Sequence, residues 1–358
     1  MNSIKSSFLC PYNEILPRKK AHDLFLFQEC DALARAGFDV SLLCGKGSLP
    51  DDALFSYYLG KNSSSFTIDR LPIIRKNNFL NLSWNRPFFF FTQRKIVEKR
   101  PDFVLLSVLK QADYHVRHKV PGVKYIYEAH EVSTYPNEPL SSRCIQEKKM
   151  LSRCDLVVVT TDELKNILYN TPYNLSVPVA VIPLAVEKTP MKPLPFSLPF
   201  VLTYVGQLYK GQGVEQLLET ARKFPQIQLQ IIGGTKEEIK RLHPLHRRAH
   251  FFGYCPPTEV TEIAQTSHAF VAPFALTGRM PYVAHTKLYE YSAWQRPFLA
   301  PDIPLVRSHF PHALLFTNLE ESLRQIMQPE VYARLAKGPF FSYTWKERAN
   351  KYRSLLIT

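Results

Sequence analysis

Short apolar runs typical of buried strands alternate with longer segments of helical periodicity along this chain of 358 residues. Such alternation is the sequence form of a parallel sheet covered by helices on both faces. In the first half, segment 22–36 carries Leu24, Phe27 and Leu33 on one apolar face and ends at Gly37, which indicates a helix. Strands are predicted around and after it at 6–10, 39–43, 102–107, 123–128, 155–160 and 179–182.

A proline-dense segment interrupts the alternation between Ile182 and Phe200. Proline disfavours helix and removes backbone donors, so we predict an interdomain linker there. The alternation then restarts, and the chain is predicted to form two doubly wound α/β domains that face each other across a cleft. Ligands of such sheets bind at the carboxyl ends of the strands. In the second half, strands are predicted at 201–205, 228–232, 250–252, 269–272, 297–300 and 313–316.

From its composition and first residues we expect a cytoplasmic protein. Hydrophobic residues make up 45%, enough to fill two cores, and no stretch approaches the roughly 20 uncharged apolar residues that cross a bilayer. The first ten residues lack the apolar core of a signal peptide. The six cysteines include no C-x-x-C pair, so we expect reduced, buried thiols and neither a zinc site nor a disulfide framework.

A formal net charge of +14 requires an anionic partner to be considered: nucleic acid, an anionic membrane face or a phosphorylated substrate. Segment 84–91, followed by basic residues up to Arg100, mixes aromatic and cationic side chains as an interfacial membrane helix does. It would dock the protein peripherally on the anionic inner leaflet. Four successive phenylalanines cannot all face one side of a helix, so at least one or two are predicted to lie in the core.

Segment 284–293 (AHTKLYEYSA) opens a predicted helix just after an apolar strand. A glutamate in the first helical turn, here Glu290, can hold a pair of hydroxyls while free backbone N–H groups accept an anion. This combination suits a nucleotide-sugar. In the alternative interpretation Thr286 only N-caps the helix, Glu290 complements the helix dipole and Lys287 is solvated.

Six short motifs of the second half occur in a fixed order: V-G-Q-L-Y at 205–209, G-V-E at 213–215, I-I-G-G at 231–234, F-G-Y at 252–254, V-A-P at 271–273 and K-L-Y-E-Y at 287–291. This ordered set resembles the donor-binding domain of retaining glycosyltransferases of family 4, which have the GT-B fold. R-P-D at 100–102, Y-E-A-H-E at 127–131 and D-L-V-V-V at 155–159 extend the resemblance over nearly the whole chain.

The resemblance implies an acceptor-binding Rossmann-like domain over 1–186 and a nucleotide-sugar-binding domain over 187–340. Y-T-W at 343–345 is similar to the start of the family's last helix, so 341–358 is expected to return to the first domain. The implied activity is retaining transfer of a sugar from a nucleotide-sugar to an acceptor hydroxyl, with neither a metal nor another cofactor. The chain has no D-x-D triplet, and a metal-free site must offset diphosphate charge with cations and backbone amides.

Within this resemblance, Glu290 matches the glutamate that holds the nucleotide ribose, and the turn before its helix is placed to meet the phosphates. Two positions depart from the family pattern. Gln212 precedes Gly213 where many relatives have lysine, so we predict that Lys210 supplies the catalytic cation. Tyr282 replaces a second glutamate, so backbone N–H groups near 278–284 are expected to recognise the sugar. The predicted donor-binding residues are Gly206, Gln207, Gln212, Gly233, Tyr254, Arg279, Thr286, Lys287 and Glu290.

His130 follows a predicted strand at the cleft edge, where imidazole can bond a sugar hydroxyl or stabilise the transition state. The alternative is a histidine satisfied within a loop. The basic turn 17–23 opens the first long helix, and Lys20 and His22 are predicted to bind a phosphorylated acceptor there. A solvated loop is the alternative.

These features together favour a glycosyltransferase of cell-envelope glycolipid or polysaccharide synthesis, with a phosphorylated, lipid-linked or saccharide acceptor. A non-catalytic nucleotide-sugar or nucleic-acid binding protein is one alternative, although the chain has none of the recognised nucleic-acid modules and no nucleic acid is expected. A GT-B nucleotide-sugar epimerase, which acts on the donor alone, is the other.

Overall fold

The computed structural model describes residues 5–18, 20–60, 64–74, 84–136, 138–340 and 343–357. The chain divides into two units, one comprising Met1–Pro183 with Trp345–Thr358 and the other Leu184–Thr344. Each unit contains a wholly parallel sheet with helices, so the predicted α/β fold of two Rossmann-like domains is confirmed. The chain passes from the first unit to the second after Pro183 and returns after Thr344.

In the first unit, the described residues form a seven-stranded sheet of order β3-β2-β1-β4-β5-β6-β7. Its strands are β1 Ser7–Ile15, β2 Asp39–Gly45, β3 Thr67–Leu71, β4 Phe103–Leu106, β5 Lys124–Ala129, β6 Leu156–Val159 and β7 Val179–Val181. Its first six helices are α1 Ala21–Arg35, α2 Asp51–Leu59, α3 Arg86–Lys99, α4 Leu109–Arg117, α5 Ser142–Leu151 and α6 Asp162–Tyr169.

The second unit contains a six-stranded sheet among its described residues, of order β10-β9-β8-β11-β12-β13. Its strands are β8 Phe200–Val205, β9 Ile227–Ile232, β10 His250–Gly253, β11 Ala269–Val271, β12 Phe298–Pro301 and β13 Leu314–Phe316. Its helices are α7 Val214–Ala221, α8 Lys236–Leu242, α9 Pro257–Gln265, α10 Thr286–Ala293, α11 Pro304–His309, α12 Leu319–Ile326 and α13 Pro329–Ala336.

The last helix, α14 Trp345–Leu356, belongs to the first unit. Its buried face carries Ala349 and Tyr352, and the Tyr352 ring meets Phe8 of β1 edge-on with ring centres 6.3 Å apart. The chain therefore leaves the first unit after β7 and completes its core with a helix from the far end of the sequence.

Most predicted strands lie where the apolar runs placed them, because central parallel strands are buried on both faces. Sequence reasoning missed β3 and α2. Strand β3, with the sequence TIDRL, lies at the edge of its sheet and has one buried residue, Leu71, so it carries no apolar run. Edge strands are commonly short and polar.

All six cysteines are free and buried, as predicted. Among the described residues, no helix combines the length and the apolar character needed to span a membrane. In α3, Phe88 and Phe89 are buried, which confirms that part of the phenylalanine run lies in the core. Phe90 and the preceding Trp84 are about half exposed, at 52% and 49%.

Candidate functional site

Two glycine loops touch each other at the carboxyl edge of the second unit's sheet. Gly206 follows β8 and Gly233 follows the adjacent β9, with φ of +148° and +115°. A Cβ on Gly233 would lie 2.1 Å from the carbonyl oxygen of Gly206, so only glycine permits this approach. The Gly233 N–H donates to the Gly253 carbonyl at 2.6 Å. The ends of β8, β9 and β10 are thereby held together.

Helix α10 brings a buried lysine to this edge. Lys287 is its second residue, and its Nζ donates to Oε1 of Gln212 at 2.6 Å and to the Tyr204 hydroxyl at 2.9 Å. The ammonium also lies 4.2 Å from the centre of the Tyr204 ring. A Cβ on Gly206 would lie 2.9 Å from Nζ, so this glycine makes room for the ammonium.

Hydrogen bonds extend from this lysine along the loop after β8. The Tyr204 hydroxyl donates to the backbone oxygen of Gln207 at 2.6 Å, and Nε2 of Gln212 donates to the Tyr209 hydroxyl at 2.6 Å. Arg279 donates to the same Tyr209 hydroxyl at 3.5 Å. The structure thus brings predicted donor-binding residues together through two tyrosines that sequence reasoning left out. A tyrosine within the buried strand β8 was the available signal for Tyr204.

Burial sets the charge state of this site. It lowers the pKa of Lys287 to about 7, against the attraction of Glu290. Burial also raises the pKa of Glu290 to about 7, against the attraction of Lys287. A neighbouring anion stabilises the charged form of a buried lysine whose pKa is about 7, because it restores favourable interactions that burial removed. The site is therefore suited to a ligand with negative charge and hydroxyl groups.

The start of α10 corrects two expectations. The helix begins at Thr286, and the N-cap residue is His285, whose Nε2 bonds the Met280 carbonyl at 2.8 Å. Thr286 is thus the exposed first residue of the helix and not its N-cap. The alternative interpretation, in which Thr286 caps the helix, is wrong on this point. Glu290 is the fifth helical residue and does not lie in the first turn. Burial is the largest cause of the raised pKa of Glu290.

Several other predicted donor residues lie at the surface of the second unit. Gln207, Tyr254, Arg279 and Thr286 are exposed, and so is Lys210, the predicted catalytic cation. The cation that contacts Gln212 is Lys287, whereas the role predicted for Lys210 stays a prediction. Gln212, which was predicted to bind the donor, is buried.

In the first unit, His130 directly follows β5 and is held by Glu128. Its Nε2 bonds Oε1 of Glu128 at 2.6 Å, and its side chain is 29% exposed. The imidazole meets the ring of Phe25 edge-on at 4.6 Å and that of His22 at 5.8 Å. His22 also lies 3.2 Å from the hydroxyl of Ser107. Two predicted acceptor-side residues, His22 and His130, are therefore neighbours at the carboxyl edge of the sheet.

Charge in turn 17–23 is largely used within the fold. Burial lowers the pKa of His22 to about 4, so this side chain is neutral at pH 7. Arg18 pairs with Asp23 at 2.7 Å and with Glu14 at 2.8 Å. Lys20 is exposed, and Lys19 lies outside the described residues. Binding of a phosphorylated acceptor by Lys20 and His22 stays a prediction, in which His22 would act as a neutral hydrogen-bonding group.

A buried ion cluster lies behind His130, and sequence reasoning missed it. Nε of Arg348 in α14 donates to Glu29 at 2.9 Å, and its Nη2 donates to Glu128. The hydroxyl of Tyr352 donates to the second oxygen of Glu128 at 2.7 Å. An acidic residue in a buried strand was the one local signal, since Glu128 lies within the run YIYEA.

Within the described ranges, no group of three or more His, Cys, Asp or Glu side chains is arranged to hold a metal ion.

Two family models identify this chain as a glycosyltransferase, and its fold is GT-B. The family model described as glycosyl transferases group 1 matches residues 187–284, and the model described as glycosyltransferase family 4 matches residues 25–189. A comparison with curated protein sequences gave no significant match.

Solved GT-B structures share this architecture at low sequence identity. Sucrose-phosphate synthase of Thermosynechococcus elongatus is 18% identical, with 98% of each chain covered and a TM-score of 0.70. HepE of Anabaena, solved with UDP and glucose, is 12% identical, with 98% of each chain covered and a TM-score of 0.72. A variant of S. aureus TarM, solved with fondaparinux, alpha-GlcNAc-glycerol and UDP, is 10% identical over 99% of this chain and 100% of that one, with a TM-score of 0.74.

Proposed function

We propose that this glycosyltransferase is retaining and metal-independent, and that it transfers a hexose from a nucleotide-sugar to an acceptor hydroxyl in cell-envelope glycolipid or polysaccharide synthesis. The observation that carries the proposal is the buried Lys287 ammonium, which lies against the loop after β8 near Glu290. In the reaction, the bond from the anomeric carbon to the diphosphate oxygen breaks. A bond to the acceptor oxygen forms on the same face, and the acceptor's hydroxyl proton passes to the leaving diphosphate.

On the donor side, the leaving diphosphate gains charge towards the transition state, and a positioned cation stabilises it. Lys287 supplies that cation, Arg279 adds a second at the surface, and the N-terminal turn of α10 adds backbone N–H groups. Glu290 accepts hydrogen bonds from the ribose hydroxyls. HepE and TarM, which share the fold, were solved with UDP, which supports a nucleotide donor.

On the acceptor side, His130 hydrogen-bonds the sugar that is transferred, and Lys20 and His22 contact the acceptor. His130 is suited to this role because it is partly exposed at the end of β5 while Glu128 and Phe25 hold its ring. The acceptor is a phosphorylated, lipid-linked or saccharide molecule.

Release of nucleoside diphosphate tests the proposal. Donors chosen by a thermal-shift screen of uridine, guanosine and adenosine diphosphates are incubated with and without saccharide acceptors, because a tight ligand raises apparent stability. Transfer requires release that depends on the acceptor, a product with the anomeric configuration of the donor by NMR, and an unchanged rate with a chelator. Binding without release would indicate a non-catalytic protein, and conversion of the donor sugar without acceptor would indicate an epimerase.

We also propose that α3 attaches the enzyme peripherally to the inner face of the membrane. Trp84 and Phe90 are exposed near the exposed cation Arg94, as a shallow interfacial contact needs. Co-sedimentation with anionic vesicles should fall in Phe90→Ser and not in Tyr57→Ser, which removes an equally exposed ring elsewhere in the unit. Equal binding of both variants and the wild type would contradict attachment through α3.

A further inference from the structure

We propose that Arg348 and Tyr352 of the terminal helix are positioning residues for His130. They fix the carboxylate of Glu128, which fixes Nε2 of His130 and leaves Nδ1 to face the sugar. This inference rests on the proposed function for its consequence in catalysis, but its structural part can be tested separately.

Hydrogen bonds from separate parts of the chain hold the Glu128 carboxylate. Arg348 and His130 share Oε1, and the Tyr352 hydroxyl occupies Oε2 at 2.7 Å. The Glu128 side chain is only 2% exposed, so water does not compete for these oxygens. A carboxylate with both oxygens engaged cannot rotate without losing a charge-assisted hydrogen bond.

Arg348 is itself held by three further hydrogen bonds. Its Nε donates to Glu29 of α1 at 2.9 Å, and its Nη1 donates to the carbonyls of Ile182 and Pro183 at 2.8 and 2.6 Å. Its side chain is 1% exposed. The rigid guanidinium is therefore fixed, and the position of α14 determines where the Glu128 carboxylate lies.

The charges around Glu128 come from α1, α14 and the loop after β5. Burial acts to raise its pKa, but the charge of Arg348 and the hydrogen bond from His130 outweigh burial and hold the pKa well below its usual range. Burial raises the pKa of Glu29 well above its usual range, although Arg348 opposes this. His22 of α1 also faces the group. One cation, Arg348, thus balances one carboxylate, Glu128.

An ionised Glu128 determines the tautomer of His130. A carboxylate accepts only, so the neutral imidazole must carry its proton on Nε2, and Nδ1 becomes an acceptor for a sugar hydroxyl. The ring plane is also fixed, because Phe25 meets His130 at 4.6 Å and Trp345 of α14 at 5.0 Å. The terminal helix thus acts on His130 through both a hydrogen-bonded and an aromatic contact.

The test compares three variants of the full chain. Tyr352→Phe removes one hydroxyl from Glu128, and Arg348→Lys keeps the charge but loses the fork. Arg353→Gln is the matched control, since Arg353 is exposed on the same helix. Long-range ¹H–¹⁵N spectra of the histidine rings report the tautomer, and the His130 signals are identified by their loss in His130→Gln.

We expect one His130 tautomer, protonated on Nε2, in the wild type and in Arg353→Gln. In Tyr352→Phe and Arg348→Lys we expect a mixture of tautomers, with kcat about tenfold lower, an unchanged KM for the donor and a shifted pH–rate profile. Unchanged His130 signals in folded Tyr352→Phe would overturn the proposal, and Tyr352→Phe decides it even when Arg348→Lys does not fold. Loss of the proposed activity in the wild type would leave the NMR result intact, so the two failures are distinguishable.

Discussion

Nζ of Lys287 donates to Oε1 of Gln212 at 2.6 Å across a separation of 75 residues. Gln212 precedes Gly213, at the position where the sequence resemblance leads us to expect a lysine. In this chain helix α10 places the Lys287 ammonium beside residue 212, and the side-chain oxygen of Gln212 accepts its hydrogen bond. The positive charge is thus provided by a different element of the fold.

Exchange of these two side chains tests the arrangement. Lys287→Met should lower turnover by about 10²-fold, because the developing charge of the leaving group loses its cation. Gln212→Lys in the Lys287→Met background should restore part of the rate. Gln212→Lys alone should not raise the rate, since it places two ammonium groups in contact. Steady-state kinetics of the three variants gives the coupling between the sites.

Lys210 provides a separate comparison. The sequence-based hypothesis expects Lys210→Ala to slow turnover more than it weakens donor binding, since leaving-group charge grows towards the transition state. Activity equal to the wild type in the same assay would remove Lys210 from the mechanism and leave Lys287 as the proposed cation.

Glu290→Ala should weaken donor binding by about 1.5–3 kcal/mol, the value of a hydrogen bond to a charged group. Isothermal calorimetry with the nucleotide-sugar measures the loss. Glu259→Ala serves as a control that removes an exposed carboxylate in the same unit. Donor affinity that stays the same in a folded Glu290→Ala protein would exclude this residue from the site.

The raised pKa of Glu290 predicts how stability depends on pH. The carboxyl binds a proton in the folded state up to about pH 7, but in the unfolded state only up to its usual value. Its contribution to stability is therefore complete below the unfolded pKa and is lost as pH rises through 7. Between pH 5 and 8 the free energy of unfolding should fall by up to about 3 kcal/mol relative to Glu290→Gln. Urea denaturation without ligand measures this difference, and parallel curves for the two proteins would refute it.

His130→Ala should leave the melting temperature nearly unchanged and lower turnover by about 10²-fold. The melting temperature should hold because Glu128 keeps its hydrogen bonds to Arg348 and Tyr352 when the imidazole is removed. Calorimetry and acceptor-dependent release give the two values. A destabilised protein with normal turnover per folded molecule would make His130 a structural residue.

Sequence reasoning succeeded where the physical cause is local. Buried parallel strands must be apolar along their length, so β4 and β6 are visible as FVLL and LVVV. The start of α10 was harder to place, because His285 occupies the N-cap position without a side-chain cap. Edge strand β3 has no such run and left no signal.

The partners of buried charges could not be predicted in the same way. Arg348 meets Glu128 across 220 residues, and Tyr204 meets Lys287 across 83. No period or spacing in one sequence records which distant helix packs on which strand end. Single motifs therefore drew attention to Lys287 and His130, whereas the contacts of Tyr204, Arg348 and Tyr352 required the folded chain.

The terminal helix also constrains how the protein is made. Glu29 precedes its partner Arg348 by 319 residues, and the whole second unit is translated between them. During synthesis the N-terminal unit emerges with the Glu128 carboxylate and no guanidinium to neutralise it, so it cannot reach its final form on the ribosome ahead of the second unit. A released chain that ends before Trp345 should therefore remain sensitive to protease in its first half, while the second unit is already protected.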